Sequence, residues 1–215
     1  MGIADGPFPQ LPSASIISYD WVDMNSGTGY VTFYGYSLKA LDGSYTHHLN
    51  TNQFYSSSVE TAANYDATGT PIDLDFDVHF NLPQIIKGDL WVETSIGKDS
   101  GNPADTIRLD LKVGKVPAVG AEVEVAHAYS SYAITSTENR KTVLIKAVVP
   151  ETLYKAGETL RITPQIVIVG YTGDKGSCAI THDPMGRDGE IHIKPSTDAS
   201  FTSVFKVNVP FKIKK

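Results

Sequence analysis

Sulfur is nearly missing from this chain, and so is any concentration of charge of one sign. Cys178 is the one cysteine in 215 residues, which excludes an intrachain disulfide and a zinc site built on several cysteines. A lone cysteine is usually a buried apolar residue; a catalytic thiol would need a histidine brought beside it by the fold. The formal net charge is −6, and the 18 lysines and arginines are scattered along the chain. Without a basic surface to displace the counterions on phosphate, direct nucleic-acid binding is not expected. No apolar run approaches the length of about 18 residues needed for a membrane helix, and the first residues show neither the basic nor the apolar region of a secretory signal. No membrane partner is expected.

What is present reads as strands. Pro7, Pro9 and Pro12, with Gly2 and Gly6, mark residues 1–14 as an extended N-terminal arm. From Ile16 onward, β-branched and aromatic residues fall in short runs between clusters of Gly, Pro, Asn, Asp and Ser. The runs include IISYDWV, GYVTFYGYSL, THHLNTNQFY, IDLDFDVHF, TIRLDLKV, KTVLIKAVV, ETLRITPQIVIVG, SCAITHD, GEIHIKP and SVFKVNVPFKIK. Their number and spacing predict one all-β domain over residues 15–215, an antiparallel β-sandwich of jelly-roll type with about 10–12 strands. Asp42-Gly43 signals a hairpin. At residues 56–65, Ser57 and Glu60 are spaced as in a capping box, yet the apolar residues make no helical stripe, which leaves helix and extended structure both open.

Alternation assigns the faces. In IDLDFDVHF, Ile72, Leu74, Phe76, Val78 and Phe80 point to the core, and Asp73, Asp75, Asp77 and His79 to water. In TIRLDLKV, Ile107, Leu109, Leu111 and Val113 are the core set, and Arg108, Asp110 and Lys112 make this strand a suitable charged neighbour for the aspartate row. The last run sets Phe205, Val207, Val209, Phe211 and Ile213 on one face, and Pro210 places it at a sheet edge or a bulge.

Candidate sites are few. Alternate strand residues lie roughly 6.5 to 7 Å apart, too far for the three aspartates to close on one cation unaided. The turn THDPMGRDGE offers Asp183, Asp188 and Glu190 as oxygen ligands, but the spacing is not that of an EF-hand and also suits an ordinary turn. The histidines His47, His48, His79, His127, His182 and His192 form no HExxH, and His182 and His192 flank one turn where they would pair across a hairpin. There is no G-x-S-x-G; in GDKGSC, Lys175 stands where a nucleophile loop would carry serine. Paired carboxylates for glycoside hydrolysis meet only in three dimensions, so they stay open. Tyr30, Thr32, Tyr34 and Tyr36 share one face of GYVTFYGYSL, with Val31, Phe33 and Gly35 on the other, giving either a sugar-stacking platform or tyrosines at an interface. No catalytic, cofactor-binding or metal residue is assigned, and no enzyme activity or cofactor is expected.

Taken together, the early GTGYVTFYGYSL, the late THDPMGRDGE and the C-terminal FKVNVPFKIKK resemble uncharacterised β-rich structural proteins of tailed bacteriophages. The resemblance implies a capsid-associated or decoration protein in the virion, assembled in the host cytoplasm. It further implies a homo-oligomer, with a trimer favoured, in contact with other virion proteins. The alternative is a receptor- or carbohydrate-binding β-sandwich, such as a tail-fibre or lectin-like module.

Overall fold

The computed structural model describes residues 28–100, 105–133, 140–187 and 203–212. The expected N-terminal arm lies outside these residues, as do the runs IISYDWV and GEIHIKP. Among the described residues there are twelve strands: β1 (Thr28–Lys39), β2 (Tyr45–Asn50), β3 (Glu60–Tyr65), β4 (Gly69–Asp73), β5 (Phe76–His79), β6 (Gln84–Ser100), β7 (Thr106–Val116), β8 (Val123–Ala133), β9 (Arg140–Tyr154), β10 (Thr159–Gly170), β11 (Gly176–Thr181) and β12 (Phe205–Lys212). No helix occurs among the described residues. The all-β sandwich read from strand spacing is the observed fold.

Hydrogen bonding runs in one path, β3-β11-β6-β12-β1-β2-β5-β10-β7-β8, with β9 also on β6 and β4 also on β10. Every pairing is antiparallel except β2 with β5, a short parallel seam of two residue pairs, His47 with Phe76 and His48 with Asp77. The path folds over at that seam. One layer is β9–β6–β12–β1–β2, the other β4/β5–β10–β7–β8, and their inner faces share one apolar cluster. Ile107, Leu109, Leu111 and Val113 of β7, Leu160, Ile162 and Ile166 of β10, and Phe205, Val207 and Val209 of β12 are all fully buried in it. Burial of this kind, at about 25 cal/mol per Å² of apolar surface, is the main force holding the two layers together.

The run IDLDFDVHF is broken at Leu74 and Asp75 into β4 and β5, both lying along β10. Ile72, Leu74, Phe76 and Phe80 are buried as the alternation requires, and Val78 is half-buried. The C-terminal run is not at an edge. β12 sits between β1 and β6, and the ladder to β6 shifts register between Asn208 and Phe211, so Pro210 is accommodated by a bulge in the sheet interior.

Residues 56–65 form β3 and the loop before it, not a helix. Ser57, which would cap a helix, is spent on β1, where it accepts from Lys39 N–H at 3.2 Å; its neighbour Ser56 accepts from Ser37 N–H at 3.1 Å. The Asp42-Gly43 hairpin forms between β1 and β2, with Gly43 at φ 88° and Ala40 N–H bonded to Ser44 O. The loop is thus longer than the two-residue turn that the dipeptide signals.

Candidate functional site

The aspartate row is a wet strand face, and its partners stand on β10. His79 Nδ1 meets Thr159 Oγ1 at 2.6 Å, Arg161 forks onto both oxygens of Asp77 at 2.8 Å, Thr163 Oγ1 donates to Asp75 at 2.6 Å, and the Gln165 amide donates to Asp73. The strand TIRLDLKV does not neighbour the row: β10 lies between them, with β7 on its far side. Arg108 instead forks onto Asp110 within β7 itself.

Arg161 is the centre of this face. Asp75 approaches it at 3.0 Å, Asp77 at 2.8 Å and Glu122 at 3.1 Å. Glu122 arrives by crossing β7 at Gly114, where a Cβ would meet its side chain, with the carboxyl carbon at 2.9 Å. Carboxylates do converge here, but around a guanidinium that binds all three. Removing it sets like charges against each other at a partly solvated site. Arg161→Gln is expected to cost about 1 kcal/mol in urea unfolding, and the loss should shrink in about 1 M salt.

The turn THDPMGRDGE supplies a buried anchor. Asp183 is fully buried and accepts from Ser56 N–H at 3.0 Å, Ser203 Oγ at 3.0 Å, Met185 N–H at 3.3 Å, and Arg187 Nε and Nη2 at 3.0 and 2.9 Å. Burial pushes its carboxyl up, and the bonds from Arg187, Ser56 and Ser203 outweigh that and hold it below the usual carboxylate range. Arg187 also donates to Ser56 O at 2.6 Å, and Ser56 Oγ to His182 O at 3.1 Å. Asp183 is therefore an ion-pair hub tying the loop before β3 to the start of β12. Asp188, Glu190 and His192 lie outside the described residues. Among the described residues, no group of three or more His, Cys, Asp or Glu side chains is placed to hold a metal ion.

His182 pairs with His47 of β2, the rings edge to face at 5.0 Å. Burial, reinforced by His48, pushes His47 down to about 4, and burial, reinforced by His47, pushes His182 down to about 3. The other described histidines lie on outer faces: His48 beside Tyr36, His79 beside Thr159, and His127 at 3.5 Å from Asp110.

Cys178 is buried on β11, and burial pushes its thiol up to about 12. The thiolate is the reactive form, so Cys178 should resist Ellman's reagent in the native protein and react at once in about 6 M guanidinium. Rapid native labelling would contradict the inert reading. Lys175, in the loop before β11, is exposed.

One polar cluster carries no sequence signal. Lys98 and Asp105 are both buried with Nζ and Oδ2 3.8 Å apart; Tyr65 donates to Asp105 at 3.1 Å, and Thr172 donates through N–H and Oγ1 at 2.9 and 2.7 Å. Lys98 lies near the end of β6, just before the stretch DSGNPAD, which reads as a turn. Only the return of β3 and the Thr172 loop shows what covers it.

The aromatic run places a candidate binding face. Phe33 and Gly35 are buried, while Tyr34 and Tyr36 are half-buried on the outer face of the first layer. Tyr36 lies 5.6 Å from the His48 ring and 5.3 Å from Phe54, which is 42% exposed, making an aromatic corner at β1, β2 and the loop after β2. Tyr34 pairs with Asn50 and Lys206, and Thr32 donates to Asn208 at 2.8 Å. Further across, Trp91 lies under Lys146 Nζ at 5.5 Å, and Leu144 and Val148 of β9 are 57% and 65% exposed. Several charges of this face are paired, Lys146 with Asp89 at 3.1 Å and Lys87 and Lys212 with Glu151 at 3.1 and 3.0 Å. Glu93 and Lys206 stand opposite each other across β6 and β12 on the same face.

No protein-family model matches the chain, and no curated protein does. Solved structures share its fold. An aminopeptidase from the marine sediment archaeon Thaumarchaeota archaeon aligns over 87% of this chain at 8% identity and a TM-score of 0.55. An alpha-amino acid ester hydrolase aligns over 84% at 10% identity and 0.53. A CocE/NonD family hydrolase from Staphylococcus aureus aligns over 84% at 17% identity and 0.50. The chain spans 37%, 36% and 36% of those proteins, a little over a third of each. At such identities the likeness establishes the β-sandwich and nothing of the chemistry.

Proposed function

We propose that the chain is a non-enzymatic virion structural protein, capsid-associated or decorating the shell, that acts through contacts between its own copies and with other virion proteins. The observation that carries this reading is the outer face of β9–β6–β12–β1. Leu144 and Val148 stand exposed beside Trp91, flanked by the Lys146–Asp89 and Lys87–Glu151 ion pairs. Exposed apolar side chains of that kind gain by burial against a partner. On the other layer, Arg161 and its three carboxylates are likewise engaged in holding strands together. The virion resemblance of the sequence motifs points the same way, and in this reading the protein binds neither nucleic acid nor membrane.

Mass spectrometry of gradient-purified particles from an infected host tests this. The protein should band with the particles at a fixed ratio to the main shell protein, and light scattering should give the pure protein as an oligomer, a trimer being expected. Absence from particles, or a monomer at about 50 µM, where most specific oligomers would persist, overturns it.

The aromatic corner favours a second reading, a receptor- or glycan-binding sandwich. Tyr36, His48 and Phe54 present ring faces and edges together, as sugar recognition requires. A glycan array probed with the wild type and with Tyr36→Ala/Phe54→Ala decides it: binding lost in the variant supports this reading, and no binding by either protein rejects it.

A further inference from the structure

His47 and His182 occupy the place where the two layers join. His47 pairs with Phe76 across the two-residue parallel seam of β2 and β5, and its ring lies 5.0 Å from that of Phe76. His182 follows β11 directly, is fully buried, and touches the same two rings, His47 at 5.0 Å and Phe76 at 6.5 Å. Phe76 in turn stacks on Phe205 at 4.1 Å in the centre of the sandwich. Among the described residues, His47 Nε2 and His182 Nδ1 are buried and make no hydrogen bond. His182 Nε2 lies 3.1 Å from a neutral group, Thr61 Oγ1.

We propose that this histidine pair is an acid-operated latch: protonation drives the two rings apart, releases β2 from β5, and loosens the aromatic corner built on β2. The coupling to that corner follows from strand alternation. His48, the next residue, points to the opposite face, where it meets Tyr36. The inference rests on that corner being the working surface, not on what binds there.

The charged groups around the pair are mixed. Asp75 of the β4–β5 break favours a charged His47 and Asp183 a charged His182, while His48 opposes the first and His47 opposes the second. Asp183 is already held by Arg187, which leaves it little to offer an imidazolium. Glu60 on β3 adds a favourable backbone contact to His182. Burial outweighs these, and both rings are neutral in the closed state.

The sign follows. A histidine freed into water titrates near its ordinary value, so the closed state is fully favoured above about pH 6.5 and loses ground as pH falls below it. Each histidine shifts the equilibrium by up to about tenfold per pH unit until the folded state also takes the proton. Hydrogen exchange followed by NMR between pH 7 and 4, corrected for intrinsic rates, reads the effect strand by strand. Amides of β2 and β5 should lose protection about tenfold or more per pH unit while those of β6 and β7 hold theirs, and His47→Gln/His182→Gln should flatten the loss. If all strands lose protection together, or β2 and β5 keep theirs at pH 4, the latch is rejected. Should the double variant not fold, the ring-proton titrations of the wild type decide: a value at or above 6 for both histidines overturns the proposal, and values near 4 and 3 sustain it. None of these outcomes depends on whether the protein is found in virions.

Discussion

Asp183→Ala should cost about 3–5 kcal/mol, the range for removing one partner of a buried ion pair, and is expected to leave the protein unfolded or barely folded at 37 °C. The side chain is completely buried and accepts five hydrogen bonds from four residues. Those donors come from separate parts of the chain: the loop before β3, the turn after β11 and the residue two places before β12. Alanine strands Ser56 N–H and Ser203 Oγ without acceptors, and each unsatisfied buried donor costs about 1–3 kcal/mol. Arg187 is partly exposed and can rehydrate, which sets the expectation toward the lower end. Asp183→Asn keeps the shape and loses the charge, so it should fall between wild type and alanine in urea midpoint. An alanine variant within about 1 kcal/mol of wild type would show that the hub is dispensable.

The hub and the latch were not legible in the sequence, and the reason is physical. Asp183 stands before Pro184 in a stretch that reads as a turn, and it does form one; what converts that turn into an anchor is Ser56, which no local pattern connects to it. The pairing of His182 with His192 falls outside the described residues. The contact of His182 with His47 had no local signal, because β11 runs between β3 and β6 and delivers its end to the seam beside β2. Strand alternation, by contrast, depends only on the geometry of extended backbone. It placed Ile107, Leu109, Leu111 and Val113 inside and Asp73, Asp75 and Asp77 outside. Partner choice escaped it: TIRLDLKV offers the aspartates two cations, whereas ETLRITPQIVIVG, the true neighbour, offers one arginine flanked by Thr163 and Gln165. Cross-strand preferences are worth only about 0.2–1 kcal/mol per pair, too little to set strand order against the demands of the core. The aromatic face was half visible, since alternation separated Tyr34 and Tyr36 from Phe33; Phe54, Trp91 and the exposed β9 residues join it only through the sheet.

Gly35→Val is expected to cost at least about 3 kcal/mol, the upper part of the range for overpacking a filled core. Gly35 lies on the inner face of β1, where even a Cβ would stand 2.9 Å from Phe76 Cε1 and 2.8 Å from Phe205 Cε1, with Phe205 Cδ1 nearer still. Those two rings are fully buried and stacked at 4.1 Å with 18° between their planes, so neither can swing into solvent to make room. The position needs no left-handed backbone, and the cost is purely one of space. Alanine separates this from conformational effects: removing a strand glycine should by itself stabilise by about 0.5–1 kcal/mol, so a net loss in Gly35→Ala measures the collision. Pairing Gly35→Ala with Phe205→Leu frees volume at the contact, and the double variant should be more stable than the two single losses predict by about 1 kcal/mol or more. Strict additivity in urea unfolding would show that β1 shifts away as a unit instead, and that the Phe76–Phe205 stack does not fix the distance between the layers at the seam.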